Sequence, residues 1–178
     1  TLPMTLIVIP DRVNSARGHL HFGDTSYACA LGRSGVSEAK SEGDGTTPRG
    51  HFVLRRVLYR SDRLDAPITA LPTTAIKPND GWCDAPDDPR YNQPVEHPYG
   101  ASAEKLWRDD NRYDILVVLG HNDDPIVPGA GSAVFLHVAA DYFRPTEGCV
   151  AMRCEDLLVA LRDCTPDSVI DIQAAMES

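Results

Sequence analysis

The chain has 178 residues, of which 42% are hydrophobic, and it carries a formal net charge of −9 with a pI near 5.0. This length suffices for one well-buried core and is short for two, so we predict a single domain over residues 1–178. The 26 acidic residues argue against a nucleic-acid partner, because they would repel phosphates. No apolar run approaches the roughly 20 residues that span a bilayer, and the first ten residues lack the basic start of an intact signal peptide.

Short runs rich in β-branched and aromatic residues predict most of the strands. They cover residues 4–9, 26–31, 51–59, 115–119, 133–138 and 168–172. Residues 19–22 alternate polar and apolar side chains before Gly23, which predicts a hairpin with residues 26–31 across the turn at residues 23–25. Strands therefore dominate the first half of the chain.

Two short helices are predicted. Residues 101–108 offer Ser102 as an N-cap, and residues 155–162 place two acids in the first turn and Arg162 in the last. Long helices do not alternate regularly with the strands, so a parallel α/β sheet is disfavoured. We predict a mainly β chain, folded as a mainly antiparallel β-sandwich or barrel with a few short helices.

A proline-rich stretch follows the third of these predicted strands. Residues 72–98 contain six prolines, which predicts a long structured loop without regular secondary structure. Loops of this length inside compact domains are usually functional. Trp82, Tyr91 and His97 give this loop side chains suited to lining a cleft.

The cysteines are odd in number, so disulfide pairing would leave at least one thiol free. They are Cys29, Cys83, Cys149, Cys154 and Cys164. We expect Cys149 to be free. Cys154 and Cys164 lie at opposite ends of the second predicted helix, ~15 Å apart, which is too far for a disulfide bond. The chain lacks ligand pairs at the two-to-four-residue spacing of zinc sites, so no metal is predicted.

Residues 132–152 contain the pair best suited to chemistry. His137 ends an apolar strand, and Cys149 follows twelve residues later in a Gly-Cys-Val turn. A thiol becomes a good nucleophile when a neighbouring imidazole removes its proton, and the amides of Gly148 and Cys149 would face an oxyanion on a bound carbonyl. Taken singly, a buried cysteine and a hydrogen-bonded core histidine are the simpler explanations. Together the two residues indicate an acyl-transfer enzyme.

A second segment of interest is the glycine-rich run EGDGTTPRGHF at residues 42–52. Its three glycines surround Thr47 and Pro48 and predict a tight, rigid connection into the following strand. In isolation this segment indicates a turn, because backbone geometry alone explains its glycines and proline.

In these two segments the chain resembles the L,D-transpeptidase (YkuD-type) catalytic domain, a bacterial cell-wall family. The family signature is a histidine, a spacer and then Ser/Thr-His-Gly-Cys-hydrophobic-Arg/Asn, which this chain matches at His137, Thr146, Gly148, Cys149 and Val150. The family element Gly-x-x-Thr-Pro-x-Gly-x-Phe is matched by residues 43–52 with a slight shift, and the resemblance extends from about residue 6 to residue 172. Glu147 in place of the second histidine, Ala151 in place of Arg/Asn and a short spacer indicate a divergent branch.

The resemblance implies a YkuD-like fold and a peptidoglycan L,D-transpeptidase. Cys149 would be the nucleophile and His137 its base. The backbone carbonyl of Val138 would orient the imidazole, and the amide of Gly148 would help to hold the oxyanion. The substrate would be the stem peptide of peptidoglycan, held as a thioester until an amine of a second stem resolves it into a crosslink. No metal or organic cofactor is required, and the protein would be a monomer in the bacterial periplasm or cell envelope.

The role of Glu147 stays open. Its carboxylate would oppose thiolate formation unless a cation such as Arg144 or Arg153 neutralises it, or it points outward and receives the amine of a substrate. Arg153 could also replace the arginine that is missing at position 151. The other candidates for substrate binding are Thr146, His121, Asn122, Arg33 and Tyr91. For His121 and Asn122 the alternative is a polar loop, and for Arg33 it is a solvated surface position.

The same acyl-enzyme supports alternative reactions. Water as the acceptor would give an L,D-carboxypeptidase, and a free D-amino acid would give an exchange reaction. The altered motif and residues 72–98 suggest a crosslink other than the 3→3 type, with a 1→3 linkage from L-Ala to diaminopimelate as one hypothesis. The chain could also be a non-catalytic peptidoglycan-binding module or a cysteine peptidase of ordinary L-peptides.

Overall fold

The computed structural model describes residues 4–175. Within this range the chain forms fourteen strands, one α-helix and one short 3-10 segment, Asp141–Phe143. The strands and the helix are β1 (Thr5–Pro10), β2 (Arg17–Phe22), β3 (Thr25–Ala30), β4 (Val36–Ser37), β5 (Thr47–Pro48), β6 (Gly50–Tyr59), β7 (Thr73–Ala75), β8 (Asp80–Cys83), β9 (Pro94–Glu96), β10 (Ala103–Lys105), β11 (Ile115–Leu119), β12 (Phe135–Val138), β13 (Val150–Met152), α1 (Cys154–Arg162) and β14 (Val169–Ile172).

Eight of these strands form a closed barrel. Around the ring their order is β6, β11, β12, β13, β3, β2, β1 and β14. The ring closes at β6, because the first residues of this strand pair with β14 and its remaining residues pair with β11. Closure satisfies the backbone groups that an open sheet would leave unpaired at its edges. The prediction of a mainly β sandwich or barrel is confirmed.

Most neighbouring strands are antiparallel, as expected, but β1–β14 and β12–β13 are parallel pairs. Parallel neighbours require the chain to return to the starting end of the first strand before the second begins. Residues 139–149 make this return between β12 and β13, and they end on the Gly148–Cys149 turn. The resulting register places His137 opposite Ala151.

Side chains of β12 alternate between two hydrophobic clusters. Leu136 and Val138 pack in the core inside the barrel. Phe135 belongs to a second cluster, on the outer face, where its ring lies edge-on to the indole of Trp82 with the ring centroids 5.1 Å apart. Successive side chains of a strand point to opposite faces, so His137 shares the outer face with Phe135. The barrel wall therefore presents His137 away from the main core.

A cap of three short strands covers this outer cluster. β10, β8 and β9 pair in that order as an antiparallel sheet. The helix predicted at residues 101–108 is therefore wrong, because residues within it form β10. A helix of about two turns is costly to nucleate, whereas β10 satisfies its backbone groups on the edge of β8. Residues 72–98, predicted to lack regular structure, likewise contain β7, β8 and β9. These strands are only three or four residues long, and the one proline among them, Pro94, is the first residue of β9, a position that strands tolerate.

Two other predicted local elements are confirmed. The helix expected at residues 155–162 is α1, which buries Leu157, Ala160 and Leu161. The expected hairpin is formed by β2 and β3, with Phe22 opposite Thr25.

Two further expectations concern a free thiol at Cys149 and the lack of a membrane-spanning segment. All five cysteines lie within residues 4–175, and each carries a free thiol. None of the helical segments in this range has the length and hydrophobicity needed to cross a membrane. Residues 1–3 and 176–178 of the predicted single domain lie outside the described residues.

Candidate active site

A cavity of about 410 Å³ opens on the outer face of β12 and β13. This volume is within the range of sites that bind small ligands. His137 and Cys149 both line the cavity. Cys149 precedes Ala151 by two residues, and Ala151 pairs with His137, so Cys149 and His137 lie on the same face of the sheet. Two residues that are twelve positions apart in the sequence thus share one cavity.

The imidazole of His137 is fixed by its own strand. Its side chain is buried, with the residue only 5% exposed, and Nδ1 lies 2.9 Å from the carbonyl oxygen of Val138. A carbonyl can only accept, so Nδ1 carries the proton and Nε2 is free to act as a base. Burial lowers the pKa of His137 to about 4, and the nearby Arg112 and Arg108 add to the effect. The ring is neutral at pH 7.

The thiol of Cys149 is also neutral at rest. Its Sγ donates to the carbonyl oxygen of Ala133 at 3.2 Å and accepts from the N–H of Phe135 at 3.4 Å. Burial raises the pKa of Cys149 to about 12, and the carboxyl group of Glu104 raises it further, whereas the Phe135 N–H and Lys40 oppose this shift. The cavity is therefore lined by a neutral thiol and a neutral imidazole.

The turn before Cys149 is held by the hydroxyl group of Thr146. This oxygen accepts from the N–H of Gly148 at 3.1 Å and donates to the carbonyl oxygen of Cys149 at 2.6 Å. The Gly148 amide, predicted as an oxyanion donor, is occupied by this contact in the resting structure. Of the two amides predicted for that role, the N–H of Cys149 is the one that the Thr146 hydroxyl does not occupy.

Only glycine fits at position 148. The backbone there has φ of +143°, a conformation that residues with a side chain rarely adopt. A Cβ at this position would lie 2.6 Å from the carbonyl oxygen of Thr46 and 2.8 Å from Nζ of Lys40. The glycine-rich segment, residues 42–52, is thus packed against the Gly148–Cys149 turn, which carries the proposed nucleophile and is called the nucleophile turn below.

Gly148→Ala is expected to lower the free energy of unfolding by about 3 kcal/mol, because the strained backbone and the collision with Thr46 act together. Gly43→Ala is the matched control, since Gly43 also has a positive φ, of +78°, but a Cβ there would meet nothing within 4 Å. Urea denaturation of both variants measures the difference. Equal losses of stability would contradict the close approach of the two segments.

Glu147 lines the cavity, but its side chain is exposed to solvent. Its side chain is 82% exposed, and Oε2 lies 3.0 Å from Nε of Arg33. The cation that neutralises Glu147 is therefore Arg33, in place of the expected Arg144 or Arg153. An exposed pair of this kind contributes little to stability. The carboxyl group that raises the pKa of Cys149 is Glu104.

The predicted site residues divide into two groups. The cavity lining includes His137, Thr146, Glu147, Gly148 and Cys149. The side chains of Arg33, Tyr91, His121, Asn122 and Arg153 lie outside that lining. Arg153 instead lies over the ring of Phe143, 5.4 Å from its centroid, and lines a separate cavity of about 630 Å³. The structure therefore does not bring Arg153 to the position of the missing arginine.

Tyr91 and Asn122 lie outside the cavity lining but hydrogen-bond to residues that form it or precede it. The hydroxyl group of the buried Tyr91 donates to Glu42 Oε1 at 2.6 Å and accepts from the N–H of Gly131 at 2.9 Å, which fixes a carboxylate that lines the cavity. Nδ2 of Asn122 donates to the carbonyl oxygens of Val127 and Gly131 and thereby folds the loop before β12. Neither Trp82 nor His97, the other side chains expected to line a cleft, contributes to this cavity lining among the described residues.

Seven further charged residues line the cavity, and most of them lie outside the motifs recognised in the sequence. The lining also contains Lys40, Glu42, Asp84, Glu104, Arg108, Arg112 and Arg144. Burial raises the pKa of Glu104, which accepts a hydrogen bond from Tyr113. Glu104 belongs to β10, the strand predicted as a helix, so its position could not be inferred from the chain. For Lys40 the only signal is its position just before the glycine-rich segment.

The free energy of unfolding is expected to fall as the pH is lowered from 6.5 to 4. An imidazole in the unfolded chain binds a proton near pH 6.5, whereas burial lowers the pKa of His137 to about 4. Between these values the unfolded state binds more protons, so the stability present above pH 6.5 is lost as the pH falls. For a buried imidazole this amounts to about 3 kcal/mol across the whole window.

Urea denaturation at pH 7 and pH 4.5 measures this loss in the wild type and in His137→Gln. The variant is expected to lose less stability, although the half-buried His121, whose pKa is also lowered to about 4, still contributes in both proteins. His51→Gln is the control, because the side chain of His51 is exposed. A pH dependence in His137→Gln as steep as that of the wild type would contradict the neutral, buried imidazole.

The fold and the cavity together define a mainly β barrel domain in which one cavity holds a thiol and an imidazole. The family model of YkuD, the L,D-transpeptidase catalytic domain, matches residues 12–172. The chain therefore belongs to the L,D-transpeptidase (YkuD) family, as the resemblance predicted. Comparisons with curated proteins and with solved structures gave no match.

Proposed function

We propose that this chain is a peptidoglycan L,D-transpeptidase that crosslinks stem peptides through a thioester on Cys149. The observation that carries the proposal is the cavity shared by Cys149 and His137, with the imidazole held by the carbonyl oxygen of Val138. Membership of the YkuD family supports both the reaction and the peptidoglycan substrate. Such a substrate would place the reaction in the bacterial periplasm or cell envelope.

The first step acylates the enzyme. The Cys149 side chain turns from the carbonyl oxygen of Ala133, and its proton passes to Nε2 of His137 as the sulfur attacks a carbonyl carbon of the donor stem. The tetrahedral oxyanion that forms is held by the N–H of Cys149. When this intermediate collapses, the C–N bond breaks, the departing amine takes the proton from His137, and the donor remains as a thioester.

The second step transfers the donor to the acceptor. An amine of a second stem attacks the thioester carbonyl while His137 removes its proton. The C–S bond then breaks, and the proton returns from His137 to the sulfur of Cys149. A new amide bond joins the two stems, and the protein regains its starting state without a metal or an organic cofactor.

The charges of the cavity support a substrate with both amino and carboxylate groups. Glu42, Asp84 and Glu104 supply carboxyl groups, and Arg112 and Arg144 supply guanidinium groups. Such complementary charges orient a partner more than they raise its affinity. Glu147, a predicted candidate for receiving the incoming amine, lines the cavity but is exposed and already paired with Arg33. The acceptor amine is therefore assigned to the carboxyl groups of Glu42, Asp84 and Glu104.

The identity of the crosslink is a finer part of the proposal. The cap and the segment after it contribute Asp84, Glu104, Arg108, Arg112 and Tyr113 to the cavity, which supports a bond other than the 3→3 type. A 1→3 linkage from L-Ala to diaminopimelate is the candidate.

Mass spectrometry of muropeptides formed from purified stems tests the function and the linkage together. Dimers with the 1→3 linkage are the expected product, and exclusively 3→3 dimers would contradict the proposed linkage while supporting the transpeptidase. Stems that are only shortened would indicate a carboxypeptidase. Stems recovered unchanged, with binding retained, would indicate a non-catalytic module and overturn the proposed function.

A further inference from the structure

A lysine from outside the recognised motifs lies buried at the nucleophile. The side chain of Lys40 is only 6% exposed, and it lines the cavity that holds Cys149. Its Nζ donates to the carbonyl oxygen of Thr46 at 2.6 Å and to Oδ1 of Asp44 at 3.3 Å. Burial of an ammonium group is unfavourable unless partners compensate it, so the position of Lys40 calls for an explanation.

The ammonium group of Lys40 packs directly on the nucleophile turn. Nζ would lie 2.8 Å from a Cβ built on Gly148, the residue before Cys149. An ammonium group has three N–H donors, and the contacts with Thr46 and Asp44 account for two of them. The third is available to a negative charge that develops in the cavity.

The surroundings of Cys149 otherwise disfavour its ionisation. The thiol is buried near the carboxyl group of Glu104, and its burial and that carboxyl group raise its pKa, whereas Lys40 opposes the shift. The cavity lining also holds the carboxyl groups of Glu42, Asp84 and Glu147, the neutral His137, three arginines, and Tyr113, whose hydroxyl group donates to Glu104. Glu104 and Lys40 are the charged groups that shift the pKa of the thiol. Of these groups, Lys40 is the cation that favours the thiolate.

Two arginines of the lining face the imidazole and do not take this role. Arg108 and Arg112 lower the pKa of His137, so their charges act on the base. Position 147, where the family has a second histidine beside the cysteine, carries a glutamate that is exposed and paired with Arg33. The family position next to the nucleophile therefore supplies no positive charge in this chain.

We propose that Lys40 stabilises the negative charge that develops on Cys149 and on the attacked carbonyl oxygen. The proton of the thiol still passes to Nε2 of His137, and Lys40 keeps its three protons throughout. Its ammonium group replaces, from the glycine-rich segment, the charge that position 147 does not supply. The role at the carbonyl oxygen rests on the proposed function, whereas the role at the thiolate does not.

The experiment measures how fast iodoacetamide alkylates Cys149 between pH 6 and pH 10, with the modified residue identified by peptide mass. In Lys40→Met and Lys40→Gln, alkylation is expected to be about threefold to tenfold slower at each pH, because loss of a nearby cation raises the thiol pKa by about one unit, and the greater nucleophilicity of the less acidic thiolate offsets part of the loss. Lys77→Met removes an exposed lysine and is expected to match the wild type.

The two neutral variants separate charge from structure. Gln retains an N–H donor, on a side chain one bond shorter than that of Lys, whereas Met has none. If Lys40 acts only as a hydrogen-bonded support, Lys40→Gln would react like the wild type, and this result would overturn the proposal. Should Lys40→Met fail to fold, Lys40→Gln alone decides. Urea denaturation of each variant verifies that the rates come from folded protein.

The outcome is independent of the proposed function. Slow alkylation in both neutral variants supports the role of Lys40 at the thiolate, even if the wild type forms no crosslinks. The lack of crosslinks would then count against the transpeptidase alone. Crosslinking by the wild type together with unchanged alkylation in Lys40→Gln would remove Lys40 from the mechanism and leave the transpeptidase in place.

Discussion

Cys149→Ala is expected to abolish crosslinking of stem peptides, with a loss of at least about 10⁴-fold in kcat, because no other group can carry the acyl intermediate. The substitution removes one sulfur atom from a partly buried position, so the protein should remain folded. Chromatography and mass spectrometry of the products over time measure the loss.

Cys154→Ala is the matched control for this prediction. Cys154 is also a free, partly buried thiol, but it lines the second cavity and not the one that holds His137. Wild-type crosslinking is expected for this variant. Crosslinking that persists in Cys149→Ala would place the nucleophile elsewhere.

His137→Gln is expected to lower kcat by about 10²-fold to 10⁴-fold, the usual contribution of a positioned general base. The amide of Gln is neutral and polar, but it has no basic nitrogen to accept the thiol proton. The Michaelis constant is expected to change little, since His137 is assigned to proton transfer and not to substrate binding.

Steady-state kinetics of His137→Gln beside the exposed control His51→Gln tests this assignment. In the wild type, kcat/KM is expected to fall only as the pH approaches about 4, the pKa of His137, because the ring acts as a base while it is neutral. An unchanged kcat with a raised Michaelis constant would make His137 a binding residue and contradict its role as the base.

Local signals predicted seven of the eight barrel strands. They missed β13, which has only three residues, and the closure of the barrel and the cap depend on contacts that are distant in the chain. The apolar run at residues 115–119 is β11 with the same bounds. The sequence of β6 does not show that its two parts pair with different strands. Residues 101–108 carry an N-cap signal and helix-forming residues, but pairing with β8 outweighs this local preference.

The reactive pair could be found from the sequence because motif spacing and chemistry agree for His137 and Cys149. The remaining charges of the cavity could not be found this way. Glu104 enters the cavity through a three-residue strand, which is too short for a periodic pattern. Lys40 reaches the turn because the glycine-rich segment packs against Gly148, a contact that spans more than a hundred residues of sequence.

Both groups assigned to proton transfer in the proposed mechanism are neutral in the resting structure. Cys149 donates to Ala133 and has a raised pKa, and His137 has a lowered pKa, so both groups begin neutral. In the proposed mechanism, ionisation of the thiol depends on proton transfer to Nε2 of His137 and on the nearby ammonium group of Lys40. Free thiols outside this setting, such as Cys164, lack that arrangement and should not be acylated.

The most direct test is the intact mass of the protein after brief incubation with a stem peptide and quenching in acid. The expected result is an added mass equal to the part of the stem on the acyl side of the attacked carbonyl, mapped to Cys149, absent from Cys149→Ala and present in Cys154→Ala. An adduct on another residue, or crosslinked product formed without any covalent adduct on Cys149, would contradict the account.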